Sequence, residues 1–273
     1  MLELAYITSA LGGALCGVLG FYVVRLGLTT LTFTIAHAAL AGAALALVLG
    51  TDMTYTAMVL AITTSLVLGL IFSRVEYLRD TICMTFFSFF SALALLSIYL
   101  SNTLVLATAT LSTVLWGSVL AVTIDKAVLL TSIALILTVY LLAFKAQISS
   151  LIFDKRLAEA EGLNVLMHTV IIMLITATSI SIMLRVVGGF LVFTLIYIPT
   201  MASTVLTARA NKQLLTAALI GALAGPTGLT ISLVMDLPVG VSITLTAVAM
   251  ASATMIVKGI SLKHEVKKVK LTQ

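Results

Sequence analysis

The sequence predicts an all-α integral membrane protein, a polytopic helical bundle of about nine transmembrane helices. Three observations carry that prediction. The chain is 61% hydrophobic and only 9% charged, with a mean hydropathy of +1.24, whereas a soluble domain carries roughly 25% charged residues. So few polar side chains cannot cover a water-facing surface, and most of the solvent is therefore lipid. The apolar residues fall into nine runs, each close to the about 20 residues that span a bilayer. The basic residues collect at alternate ends of these runs, as loops on one membrane side do. We read residues 1–273 as a single membrane domain.

The first run, Tyr6–Val24, ends at Arg25 and carries Gly13 and Gly17, a small-xxx-small pair that lets another helix approach closely. Its leading segment has no basic region of the signal-peptide kind, so this helix itself is expected to direct insertion. The second run, Leu31–Gly50, contains His37, and Asp52 marks the turn after it. The third is Tyr55–Phe72, followed by the polar link Arg74–Asp80, and the fourth is Ile82–Leu100. Ser101–Val122 is rich in Thr and Ser and holds Trp116, which favours the headgroup zone; it reads as a loop with a short interfacial or re-entrant helix. The fifth run is Ala127–Phe144. After a polar stretch come Val165–Leu184, Val187–Leu206 with Pro199, Leu214–Met235 with Gly225 and Pro226, and Val239–Val257, which leads into a basic tail over 258–273.

Nine spans place thirteen of the fifteen Lys and Arg residues on one side, leaving Lys126 and Arg185 on the other. The basic side is then cytoplasmic. The N-terminus is expected outside and the C-terminus in the cytoplasm of a multi-pass plasma-membrane protein. The formal charge of +5 is an orientation signal, not a sign of nucleic acid as a partner. Cys16 and Cys83 lie in or beside apolar runs and read as small packing residues without a disulfide.

The polar stretch Lys145–Leu163 falls on the cytoplasmic side. Asp154 is a good N-cap and Gly162 a good helix stop. Phe153, Leu157 and Ala160 recur at spacings of four and three, which makes one apolar face. A helix so short is unstable alone in water, so this one is expected to dock into a soluble motor protein. The alternative is a solvated loop.

Candidate residues for a translocation path are few. His37 is the one histidine in the interior of a predicted span, His168 lying at a cytoplasmic helix start, and ionisable groups in the membrane usually face the bundle interior or a water-filled path. It is either a metal-path ligand or a neutral ring bonded to a backbone carbonyl. Asp52 and Asp236, at the outer ends of spans two and eight, are either cation attractors or helix-capping carboxylates. Pro199 and the Gly225–Pro226 pair are expected to break helices. Non-helical backbone at membrane depth is tolerated only in protein or beside a cavity, so these breaks point to pore-lining segments. The sequence has no nucleotide-binding loop, zincin motif or catalytic triad, so the chain is expected to hydrolyse nothing.

Five blocks in order resemble the permeases of ABC importers for zinc, manganese and iron ions, the ABC-3 metal-ion family. They are IAHAALAGAALALVLG (35–50), LWGSVLAV (115–122), FDKRLAEAEGLN (153–164), VVGGFLVFTLIYIPTMAS (186–203) and DLPVGVSITLTA (236–247). The resemblance implies a type II ABC importer-like pore formed with a second permease copy. It also implies cytoplasmic ATPase subunits that bind the ATP, an extracytoplasmic metal-binding protein, a divalent metal ion as cargo and no permanently bound cofactor. Phe153, Asp154, Leu157, Ala160, Gly162 and Leu163 would belong to the ATPase-coupling segment, and His37 falls on the family's metal-path histidine. The family usually carries an aspartate four residues before that histidine. Here the position is Phe33, and an apolar ring cannot complete a cation site with His37. A permease for a metal chelate or a non-metal solute, and a gradient-driven secondary transporter, are the alternatives.

Overall fold

The computed structural model describes residues 2–72, 75–105, 122–186 and 188–271. Among the described residues, nine long helices cover the nine predicted runs: α1 (Leu2–Arg25), α2 (Thr29–Leu49), α3 (Met53–Phe72), α4 (Arg79–Leu100), α5 (Ile124–Ala143), α8 (Val165–Val186), α9 (Gly189–Leu206), α10 (Ala210–Met235) and α11 (Val239–Leu271). Two short helices, α6 (Lys145–Phe153) and α7 (Lys155–Ala160), lie between α5 and α8. Among the described residues, eight helices are long and apolar enough to span a bilayer, and α9 contributes a shorter apolar stretch, Leu191–Leu206. The region read as a loop with an interfacial helix begins with a π-helical turn, Ser101–Val105, and its remainder lies outside the described residues.

α1 and α2 form the centre of the bundle. Two-thirds of each span is buried inside the protein, against 17% for α5 at the periphery. α1 packs along α10 at backbone contact. A Cβ on Gly13 would overlap the Gly221 carbonyl, and one on Gly221 would overlap the Gly13 carbonyl. Lipid tails are as apolar as leucine, so close packing between such small-residue faces replaces the hydrophobic drive that operates in water. α2 is held between α3 and α4, and Thr34 Oγ1 crosses to the Cys83 carbonyl at 2.8 Å. Both cysteines are buried and unbridged, as packing residues are.

Pro199 and Pro226 do not break their helices: α9 and α10 run through both. A mid-helix proline costs about 3 kcal/mol or more, but each here lies among strongly packed neighbours. Leu195, Ile196 and Thr200 are buried around Pro199, and Ala224, Gly225, Gly228 and Leu229 around Pro226. In a membrane, melting the turn would also expose backbone to lipid, which costs more than the kink. Gly225 faces α1, where a Cβ would overlap the Ser9 carbonyl. Its role is close helix approach, and the expected helix break is corrected at both sites.

Candidate translocation and coupling sites

His37 lies midway along α2 at the wall of a cavity of about 560 Å³ between α2, α4, α8 and α9. Its Nδ1 is 3.0 Å from the Phe33 carbonyl, one helical turn back. In the tautomer that donates through Nδ1, this bond fixes the ring and leaves the Nε2 lone pair free. A metal-ligating histidine is commonly oriented in this way. Aromatic rings surround it. Phe87 packs with its centroid 4.2 Å from the imidazole and Phe193 at 5.5 Å. Phe33 stacks between Phe193 and Tyr197 at 4.7 and 5.2 Å. Among the described residues, no group of three or more His, Cys, Asp or Glu side chains is gathered to hold an ion. His37 therefore stands in this cavity wall without a carboxylate or thiol beside it among the lining residues.

Asp52 and Asp236 sit at helix ends away from this cavity. The Asp52 carboxylate accepts the Thr54 and Tyr55 amides at 2.8 and 3.2 Å, capping α3, and pairs with Lys126 at 3.3 Å. Burial raises its pKa, but the Tyr55 and Thr54 amides and the Lys126 ammonium outweigh burial and hold it below the usual carboxylate range. Asp236 takes a left-handed conformation (φ 53°) at the end of α10, and its amide donates to the Ser232 carbonyl. The Asp52 carboxylate therefore has structural work at a helix end, and Asp236 closes its helix through its backbone. His168, which the sequence left without a role, is buried and bonded to the Tyr140 hydroxyl at 2.7 Å.

The polar stretch is built in two pieces. Asp154 is extended (φ −158°, ψ 119°) and separates α6 from α7. Its carboxylate accepts the amides of Arg156 and Leu157 at 2.8 and 3.2 Å, the N-cap that its residue type favours. Gly162 (φ +81°) closes the other end. Its amide donates to Glu159, and that of Leu163 donates to Ala158, at 2.9 and 3.0 Å; this is the Schellman stop. Phe153 ends α6 and is not part of the short helix, because the extended Asp154 intervenes. The outward apolar residues still include Phe153, 84% exposed, and Leu157, 46% exposed, while Ala160 is also exposed and Ala158 is fully buried against the bundle. Sequence reading missed the anchors. Lys155 Nζ donates to the Leu26 carbonyl at 2.8 Å, and Ser150 Oγ donates to the Glu161 carboxylate at 2.8 Å. Both partners are far in sequence or polar on a polar stretch, so no periodicity marks them.

A bundle of this many apolar helices, with an imidazole at the wall of a cavity and a doubly capped short helix at one end, has the architecture of a polytopic membrane protein. The model of the ABC 3 transport family matches residues 1–258, and the chain belongs to that family. The manganese transport system membrane protein MntC of Listeria innocua is 30% identical over 248 residues, which cover 90% of this chain and 86% of the relative. The high-affinity zinc uptake system membrane protein ZnuB of Buchnera aphidicola is 26% identical, with 84% and 87% covered. Among solved structures, PsaBC from Streptococcus pneumoniae in complex with Fab superposes with a TM-score of 0.79 at 24% identity, covering 93% of this chain and 90% of the other, and so shares the fold.

Proposed function

We propose that this chain is the membrane-spanning subunit of an ATP-driven metal importer, and that a transition-metal cation passes His37 through a pore completed by a second permease copy. The family match along residues 1–258 carries this reading, and relatives named for manganese and zinc transport give the cargo class. Cytoplasmic ATPase subunits grip Phe153 and Leu157 on the rim formed by α6 and α7. An extracytoplasmic metal-binding protein delivers the ion. ATP binding closes the motor pair, the short helices move with it, and the pore exchanges access from one face to the other. A carboxylate is not required at every step of such a path, since neutral imidazole binds transition metals.

The test is reconstitution in proteoliposomes with the ATPase subunits and measurement of ATP-dependent metal uptake. The wild-type complex accumulates metal. His37→Ala lowers uptake on the order of tenfold, as loss of a tuned ligand shell does, while the complex still assembles and turns over ATP. Uptake unaffected by ATP, or unaffected by the His37 change, counts against the motor or the path respectively.

A further inference from the structure

The His37 cavity carries information about the cargo that lies in what its walls can donate. Four helices supply the lining, and none of the lining residues is acidic or carries a side-chain oxygen. The side-chain lone pairs come from His37 on α2 and from the thioether of Met84 on α4. Met84 is 41% exposed and shares the wall with Phe33, Phe87 and Phe193. Asp80, one turn before Met84, is outside the lining and accepts a hydrogen bond from Thr30 Oγ1 at 2.6 Å. Its carboxylate thus makes its contact at the helix end and not in the cavity wall.

This inventory sorts cations by chemistry. Manganese(II) is a hard ion that favours carboxylate, carbonyl and water oxygens, whereas imidazole suits zinc and copper and thioether sulfur suits copper(I). The aromatic and aliphatic walls offer no side-chain oxygen to replace the ion's water. A hard dication would enter stripped of its preferred ligands and without a negative charge to offset its own, which is costly at membrane depth. A borderline or soft cation loses less, because nitrogen and sulfur replace its water with stronger bonds. The Phe33 carbonyl, by holding Nδ1, aims the imidazole for that exchange.

We propose that Nε2 of His37 and Sδ of Met84 form a nitrogen-and-sulfur selectivity site, so that this pore takes zinc- or copper-class cations and discriminates against manganese. Met84 is the specificity-determining residue. The inference rests on the reading of the chain as a metal permease.

The experiment measures ATP-dependent uptake by the reconstituted transporter from equal concentrations of Zn²⁺, Mn²⁺ and Cu⁺, the copper kept reduced. Zinc or copper uptake exceeds manganese uptake on the order of tenfold or more, following the ligand preferences. Met84→Leu, close in volume, lowers copper uptake severalfold while the complex still assembles. Met84→Glu, which adds an oxygen donor, raises manganese relative to zinc. Manganese uptake equal to that of zinc overturns the proposal, and so does a zinc or copper preference that Met84→Leu does not move. ATP-dependent uptake of no metal at all removes the metal-permease reading itself, a different result from the first two.

Discussion

At the scale of single residues, the polar groups of this chain divide into those that hold helix ends and those that face open space. Asp52 belongs to the first kind. Its carboxylate caps α3 and pairs with Lys126, whose ammonium also lies 5.0 Å from the Tyr55 ring. The folded protein holds this carboxyl below its ordinary pKa, so the charged form contributes stability above the unfolded value, near 3.9. That contribution is lost as pH falls through the folded value. The side chain is 50% exposed, so solvent screening limits the effect to about a few tenths of a kcal/mol. Asp52→Asn keeps a capping side chain and removes the charge. In detergent at pH 7 the wild type should melt slightly above this variant, and the gap should close near pH 3. A gap that widens in acid would mean the pair with Lys126 destabilises the fold. His37 is of the second kind, and its position was legible because it stands alone in an apolar run. Its surroundings were not. Phe33, Phe87 and Phe193 come from three helices distant in sequence. In a helix apolar on every side, no stripe separates the face that meets protein from the face that meets lipid.

At the scale of elements, the short helix α7 was the most legible part of the chain, because its signals are local. Asp154 and Gly162 cap it by residue type alone, and both caps form. What sequence could not give was the helix α6 that precedes the cap and ends at Phe153, or the tether from Lys155 to the end of α1. The prolines misled for the opposite reason: proline chemistry is local, but the packing that overrides it is tertiary. The caps make a quantitative expectation possible. Losing an N-cap costs roughly 1 kcal/mol, a large fraction of what holds a helix of six residues. Asp154→Ala combined with Leu157→Asp removes that cap and places a charge on the outward apolar surface. The double variant should remain folded, since the buried Ala158 contact and the spans are untouched, yet fail to stimulate or retain the ATPase subunits, with ATP-dependent uptake near background. Normal co-purification together with normal uptake would show that the motor docks elsewhere.

For the whole molecule, the contacts between helix ends sort themselves into two groups that agree with the charge pattern. At one end Arg25 bonds to Gln213, Lys155 to Leu26 and Thr30 to Asp80. At the other end Asp52 meets Lys126 and Tyr6 meets Thr230. If all nine long helices cross, as the sequence predicts, every member of the first group falls on the side that holds thirteen of the fifteen basic residues. An excess of Lys and Arg in short loops favours retention in the cytoplasm, so α6, α7 and the end of α11 should face inward and the Asp52 turn outward. The native cysteines are both buried, so an introduced cysteine reports alone. Thr51 and Phe153 are exposed at opposite ends of the bundle. A membrane-impermeant maleimide applied to intact cells should label Thr51→Cys and leave Phe153→Cys unlabelled until the membrane is opened. Added ATPase should then slow labelling at Phe153→Cys, because the proposed motor-docking surface includes this residue. The reverse order of labelling would invert the whole protein in the bilayer and put the capped helix where no cytoplasmic motor could reach it.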